Sequence, residues 1–163
     1  MTREMAAGCR DVVVRPARGE DLSGVQGLLQ GSGLPTAGVD EWLAHFLLAE
    51  HDGQVVAVAG LELYGASALL RSVAVDPEWR GSGLARELID RLLSEAKEQD
   101  INDIYLLTTT AENYFPRLGF QCICRGDVPP QVQDSVEFRD ACPASAVVMR
   151  KALDEVEPTA AMT

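Results

Sequence analysis

Residues 68–93 read ALLRSVAVDPEWRGSGLARELIDRLL, and the fold is decided in this stretch. Ala68 to Val75 is apolar apart from Arg71 and Ser72 and stops before Pro77, which is the pattern of a buried strand. Gly81 and Gly83 then make a loop. Leu84, Leu88, Ile89, Leu92, Leu93 and Ala96 recur at the spacing of one helix face. A strand therefore delivers the chain to a glycine loop, and a long helix starts directly after it. Glycine lets backbone amides come close to a ligand. The first helical turn presents unpaired N–H groups and the positive end of the helix dipole. Together they suit an anion such as a pyrophosphate, and Arg80 can add a side-chain charge. An ordinary glycine turn leading into a helix has the same local sequence, so the segment alone leaves both readings open. Two other glycine motifs are excluded. The phosphate loop of nucleotide hydrolases needs Gly-Lys-Ser/Thr, which is absent, and the dinucleotide fingerprint needs a third glycine that Ala85 and its context do not supply.

Working outward, Asp11 to Arg15 reads as a first strand that Pro16 ends, followed by an amphipathic helix opening at Glu20-Asp21 and carrying Leu22, Val25, Leu28 and Leu29. Gly31-Ser32-Gly33 closes it, and residues 34–44 hold at most a short helix around Trp42. His45 to Glu50 and Gln54 to Ala59 read as two strands joined by the hairpin signal Asp52-Gly53, the second extending through Tyr64. On the far side of the long helix come a buried strand at Ile104–Leu107 and a brief helix over Ala111–Leu118 that Pro116 shortens. A strand at Gly119–Cys124, a polar connection over 126–144 and a last strand at Ser145–Arg150 follow. The order predicts one mixed α/β domain over residues 11–152 built around a single sheet, between a loose leader at 1–10 and a flexible acidic tail at 153–163.

Composition narrows the class. The chain has 163 residues, 47% of them hydrophobic, which fits one globular domain with a sizeable core. Twenty-five acidic against 14 basic residues give a net charge of −11, which argues against nucleic-acid binding. No stretch reaches the roughly 18 apolar residues of a membrane span, and the N-terminus lacks the apolar run of a signal peptide. A cytoplasmic, reducing location is the expectation, so Cys9, Cys122, Cys124 and Cys142 are read as free thiols.

With these elements in place, Arg80-Gly81-Ser82-Gly83-Leu84-Ala85 resembles the signature loop of the GCN5-related N-acetyltransferase (GNAT) superfamily, Arg/Gln-x-x-Gly-x-Gly/Ala, with Arg80, Gly83 and Ala85 on the signature positions. Arg71 to Pro77 is similar to the strand that precedes this loop in the family. Phe115-Pro116-Arg117-Leu118-Gly119-Phe120 is similar to its late helix ending in Gly-Phe. The resemblance covers roughly residues 11–152. It implies a mixed, mostly antiparallel central sheet with helices on both faces and with strands four and five splayed around acetyl-CoA. It further implies that the backbone of Val73, Ala74 and Val75 pairs with the pantetheine arm, that the Val73 amide faces the thioester oxygen, and that Arg80 to Ala85 hold the pyrophosphate. The acceptor amine attacks the thioester directly, no metal takes part, and a homodimer is expected.

Two positions depart from the family pattern. Thr108 stands where many members carry Asn, and Phe115 where many carry a tyrosine that protonates the leaving thiolate; both are expected beside the cofactor. Tyr114 is adjacent but would point about 100° away on a helix. A coenzyme A thiol, with a pKa near ~8.5, is a fair leaving group without that acid. Leu107 to Ala111 with Phe115 and Gly119-Phe120 is similar to N-acetylglutamate synthases. Gly60 to Gly65, Leu69 to Val73, and Glu137-Phe138 with Cys142-Pro143 are most similar to the arsenic-operon-associated N-acetyltransferases.

Three polar residues in apolar strands are the candidates for chemistry on the acceptor. Glu62 suits a general base, used directly or through water, and is otherwise an outward-facing edge residue. Arg71 suits a clamp for a substrate carboxylate, or else a structural ion pair on the sheet. Tyr64 suits the wall of an acceptor pocket, or else packing. Cys122 and Cys124 lie two apart on one strand and would share a face. They can bind a soft ion, but zinc would need further ligands and only His45 and His51 exist. The reading that results is an acetyl-CoA-dependent N-acetyltransferase acting on the primary amine of a small, amino-acid-like molecule. Its alternatives are glutamate acetylation and a non-catalytic module that binds acetyl-CoA or an arsenical.

Overall fold

A computed structural model describes residues 11–109, 111, 113–135, 138 and 146–153. Cys9, Thr110, Glu137, Cys142, Pro143, the leader at 1–10 and the tail from Asp154 lie outside the described residues. The strands are β1 (Val13–Pro16), β2 (Phe46–His51), β3 (Gln54–Tyr64), β4 (Ser67–Val75), β5 (Asp103–Thr108), β6 (Gln121–Ile123) and β7 (Val147–Ala152). The helices are α1 (Leu22–Gly31), α2 (Val39–Trp42), α3 (Leu84–Glu98) and α4 (Pro130–Gln133). The strands form one sheet in the order β1-β2-β3-β4-β5-β7-β6. It is antiparallel wherever its register is defined, except for the parallel ladder between β4 and β5. This is the single α/β domain expected. Within it the chain forms two compact units, one running to Gly60 and taking in Ser72–Arg91, the other made of Leu61–Arg71 and the chain from Leu92 on.

In the first unit β2 and β3 are joined by Asp52 and Gly53, both with positive φ (53° and 78°). A two-residue turn of that hand matches the twist of the paired strands. Val25 and Leu29 of α1 pack with Val39, Phe46, Leu48 and Val58. Gly60 is required in β3 because a Cβ there would meet the Phe46 ring at 2.3–2.5 Å. An ion cluster fixes the entry to α1: Arg15 donates twice to Asp21, both at 2.8 Å, and once to Glu50 at 2.7 Å. Asp21 also accepts from the Arg18 amide at 2.7 Å.

In the second unit Leu69, Tyr105, Val128, Val132 and Val148 form the core, with the Tyr64 ring packed against them. The parallel ladder has only three pairs, Ser67–Asp103 to Leu69–Tyr105. Its start is pinned by Asp103, which accepts from Ser67 Oγ (2.7 Å), the Tyr105 hydroxyl (3.1 Å) and Arg150 Nε (3.3 Å). Burial, and then the neighbouring Asp103 carboxylate, raise the Tyr105 phenol above its ordinary pKa. β4 runs on to Val75 past the end of this ladder, which is the splay that the sequence resemblance implies.

The long helix buries Leu84, Leu88, Ile89, Leu92, Leu93 and Ala96, the face read from its periodicity. It ends where Asp100 turns left-handed (φ 68°) and the Ile101 amide reaches back to Ala96 O at 3.0 Å, a closing bond that satisfies a carbonyl of the last turn. Three expectations need correction. Of the described residues in the stretch 111–118, only Phe115–Leu118 are helical, as a 3-10 turn that ends at left-handed Gly119 (φ 99°). The strand at 119–124 is confined to Gln121–Ile123, so Cys124 lies beyond its end. The connection from 126 contains a 3-10 turn at Arg125–Asp127 and the one-turn helix α4.

Candidate active site

The first cluster lies in the first compact unit, on β4 and the loop into α3. Within β4, Ser72 has φ 59°, a left-handed conformation rare for a residue with a Cβ, inside a strand that continues to Val75. Val73 and Val75 are half-buried and Ala74 is buried behind them. After the strand, Asp76 folds the chain over: its amide donates to Val56 O at 2.8 Å and its carboxylate accepts from the Glu78 amide at 2.9 Å. The 3-10 turn Pro77–Trp79 follows, with Trp79 buried and its ring centroid 5.0 Å from that of His51. Trp79 O accepts from Ser82 Oγ at 2.5 Å. The loop is thus anchored by Asp76 and Trp79, two residues the motif alone does not single out.

Gly81 (φ 80°) and Gly83 (φ 86°) are both left-handed, and a Cβ built on either meets nothing within 4 Å. The glycines therefore serve backbone conformation beside open space, which leaves room for a ligand to lie on the backbone. Gly83 O accepts from the Glu87 amide at 3.0 Å, so α3 is regular from its first turn. The amides at the start of that turn have no carbonyl four residues earlier to bond. A cradle of this kind takes an anion, and the residues present fit the pyrophosphate of a coenzyme A thioester. Arg80 is exposed, and its Nε donates to Val75 O at 3.4 Å.

The second cluster lies in the second unit. Glu62 and Tyr64 stand two apart on β3 and so share a face; Arg71 comes from β4. Both Glu62 and Arg71 are buried, at 1% and 2% exposure. Arg71 Nη1 donates to Glu62 Oε2 at 2.7 Å, and the Tyr64 hydroxyl donates to Glu62 Oε1. Each carboxylate oxygen thus has a different partner. Glu62 is not the exposed edge residue that its alternative reading required. Arg71 is in an ion pair, and the Tyr64 ring belongs to the apolar core while its hydroxyl bonds the acid.

Residues 42–122 match the family model of the acetyltransferase (GNAT) domain. An amino-acid acetyltransferase of Mycobacterium tuberculosis is 32% identical over 145 residues, 82% of this chain and 81% of that protein. The chain belongs to the GNAT acetyltransferases. An uncharacterised N-acetyltransferase of Chlorobaculum tepidum is 28% identical over 156 residues, covering 90% of this chain and 94% of that one. In solved structures the fold is shared with N-acetylglutamate synthase from Neisseria gonorrhoeae, complexed with coenzyme A and N-acetyl-glutamate. That likeness has a TM-score of 0.75 at 19% identity and covers 89% of this chain and 36% of that one. The chain spans 27% of the length of the Pseudomonas putida amino-acid acetyltransferase that it matches.

This acetyltransferase takes acetyl-CoA as co-substrate. At the two positions that depart from the family pattern, Thr108 Oγ1 accepts from the Ala111 amide at 2.9 Å, and Phe115 is buried edge-on to Phe120 with ring centroids 5.7 Å apart. Phe115 has no proton to give, and its ring completes the core. Tyr114, half-buried, packs edge-on to Phe115 at 5.2 Å. Cys122 and Cys124 of the acetyltransferase are both exposed. His45 is exposed on its 3-10 turn, while His51 Nδ1 lies 2.7 Å from Asp11 O. Among the described residues no three His, Cys, Asp or Glu side chains gather to hold a metal.

Proposed function

We propose that this acetyltransferase moves the acetyl group of acetyl-CoA to the primary amine of a small, amino-acid-like acceptor. The amides of Arg80 to Ala85 hold the pyrophosphate and the backbone of Val73 to Val75 holds the pantetheine arm. The Val73 N–H meets the oxygen on which charge develops. Thr108 and Phe115 border the cofactor. Glu62 receives the proton that the acceptor loses. The observation that carries this reading is the buried carboxylate of Glu62, held ready on both oxygens inside a domain whose 32%-identical relative is an amino-acid acetyltransferase. A fixed acceptor of protons is what a direct amine-to-thioester transfer asks of the protein, along with positioning of the two reactants.

The class of acceptor is supported by the 32%-identical relative, which is an amino-acid acetyltransferase. An amino acid bearing an arsenic or phosphorus oxyanion belongs to the same class. Glutamate is the second reading, favoured by the shared fold with N-acetylglutamate synthase. The deciding experiment is a thiol-release screen over the L-amino acids, amino-phosphinates and organoarsenical amino acids. Turnover of one such compound well above the others is expected, and glutamate alone standing out would select the second reading. Turnover confined to spermidine-like polycations would remove the proposal.

A further inference from the structure

We infer that Cys122 and Cys124 form a chelating site for a soft, two-coordinate cation, of which the cuprous ion is the biological example, on the outer strand of the sheet. Both lie in the second compact unit, and the site draws on nothing outside it. Free cysteines are among the residues most often buried, yet both of these thiols face solvent. Their common face follows from the strand itself. Ile123, between them, packs against the core of Leu69, Tyr105, Val128 and Val148, so its neighbours on either side point the other way. Cys122 is held in the β6–β7 ladder opposite Met149. Cys124 lies past the last paired residue, but its backbone stays extended (φ −80°, ψ 144°), so the alternation carries through to it.

The backbone around the pair is fixed on both sides. β6 is the last strand of the sheet and bonds to β7. Beyond it, Cys124 O accepts from the Asp127 amide at 2.9 Å and opens the 3-10 turn Arg125–Asp127. Gln133 Nε2 donates to Val128 O at 2.7 Å and to Arg125 O at 3.2 Å, which ties that turn to α4. Two thiols on a fixed backbone lose less freedom on chelation than two on a mobile loop. Thiolates select soft cations, and the number of ligands selects among them. Zinc closes its structural sites with four ligands, whereas among the described residues no group of three His, Cys, Asp or Glu forms around the pair. A cuprous ion is satisfied by two sulfurs in line. On binding, each S–H gives its proton to solvent and each sulfur forms one Cu–S bond. No electron moves, because the ion enters already reduced.

The test is an anaerobic titration of the freshly reduced full chain, freed of reductant, with Cu(I) in competition with the coloured chelator bicinchoninate. The wild type should withhold about one Cu(I) per chain, and X-ray absorption should find about two sulfur neighbours on each copper. Loss of a partner outside the coordination sphere already costs a metal site about 10–100-fold. Cys122→Ser and Cys124→Ser each remove a ligand outright and should weaken retention by about 100-fold or more. Both side chains are exposed, so circular dichroism of the two variants should match the wild type. Cys9→Ser and Cys142→Ser should hold copper as the wild type does. Copper held equally well by Cys122→Ser or Cys124→Ser, or lost in Cys142→Ser, would overturn the pair as the site. A copper with three or more ligands, or one ion shared between two chains in sedimentation, would overturn the two-coordinate chelate, as would displacement of Cu(I) by an equal concentration of zinc.

Discussion

At the scale of single residues, Glu62, Tyr64 and Arg71 teach how far a sequence can be read. A carboxylate in an apolar strand marks itself, because an ion is costly to bury without a partner, and the two-residue spacing to Tyr64 places both on one face. What the spacing cannot give is the partner of Arg71, since that depends on how β3 and β4 align across their turn. From sequence, a substrate clamp and an internal ion pair are equally open; the 2.7 Å contact with Glu62 points to the second. The two are told apart by kinetics. Arg71→Lys retains the charge but not the planar fork, and should lower kcat about tenfold while KM for the acceptor changes little. A clamp would give the opposite split, with KM for the acceptor raised about tenfold, as loss of a charge-assisted bond worth about 1.5–3 kcal/mol requires. Arg71→Ala serves less well, because stranding Glu62 in the core costs about 3–5 kcal/mol of stability. Ser72 is the residue no pattern foretold: serine has no special leaning toward positive φ, so its conformation reflects the strand around it.

At the scale of elements, the segment from β4 through the loop to α3 was legible because each signal in it is local. The apolar run, the glycine pair and the 3.6-residue period need no knowledge of distant contacts, and the Asp52-Gly53 hairpin is plain for the same reason. The 3-10 turn at Phe115–Leu118 was overextended in the sequence reading, since apolar spacing shows neither where a helix starts nor whether it is α or 3-10. The loop carries the sharpest prediction at this level. In Gly83→Trp, an indole would project into the space left open above the backbone, at a φ of 86° that side chains resist. The strain costs about 1–2 kcal/mol, too little to unfold a domain of this core. Calorimetry should show coenzyme A binding lost while circular dichroism stays native. Unaltered affinity in a folded Gly83→Trp protein would refute the pyrophosphate assignment.

At the scale of the whole molecule, the ion cluster of Arg15, Asp21 and Glu50 contributes to the expected acid response. Asp21 is lowered from 3.8 to about 2, chiefly by its bonds from Arg15, helped by the Arg18 amide and opposed by burial. A carboxyl whose folded pKa lies below its unfolded value stabilises the native state above the unfolded pKa. It gives that up as pH falls toward the folded one. The shift corresponds to about 2 kcal/mol, so Asp21→Asn should unfold about that much more easily in urea at pH 7. The gap between wild type and variant should close between pH 4 and pH 2. A gap constant across that range would mean that the cluster acts through packing instead. Sequence gave no hint of this cluster, because Arg15, Asp21 and Glu50 meet only once β1, β2 and the start of α1 are assembled. The exposed thiols of Cys122 and Cys124 bear on how the protein should be handled. Solvent-facing thiols oxidise in air and exchange with one another between molecules. Preparations stored without reductant will accumulate covalently linked species, and a band of doubled mass on a non-reducing gel would report their age. The homodimer expected by resemblance is therefore to be sought by sedimentation in fresh dithiothreitol, or with both cysteines replaced by serine.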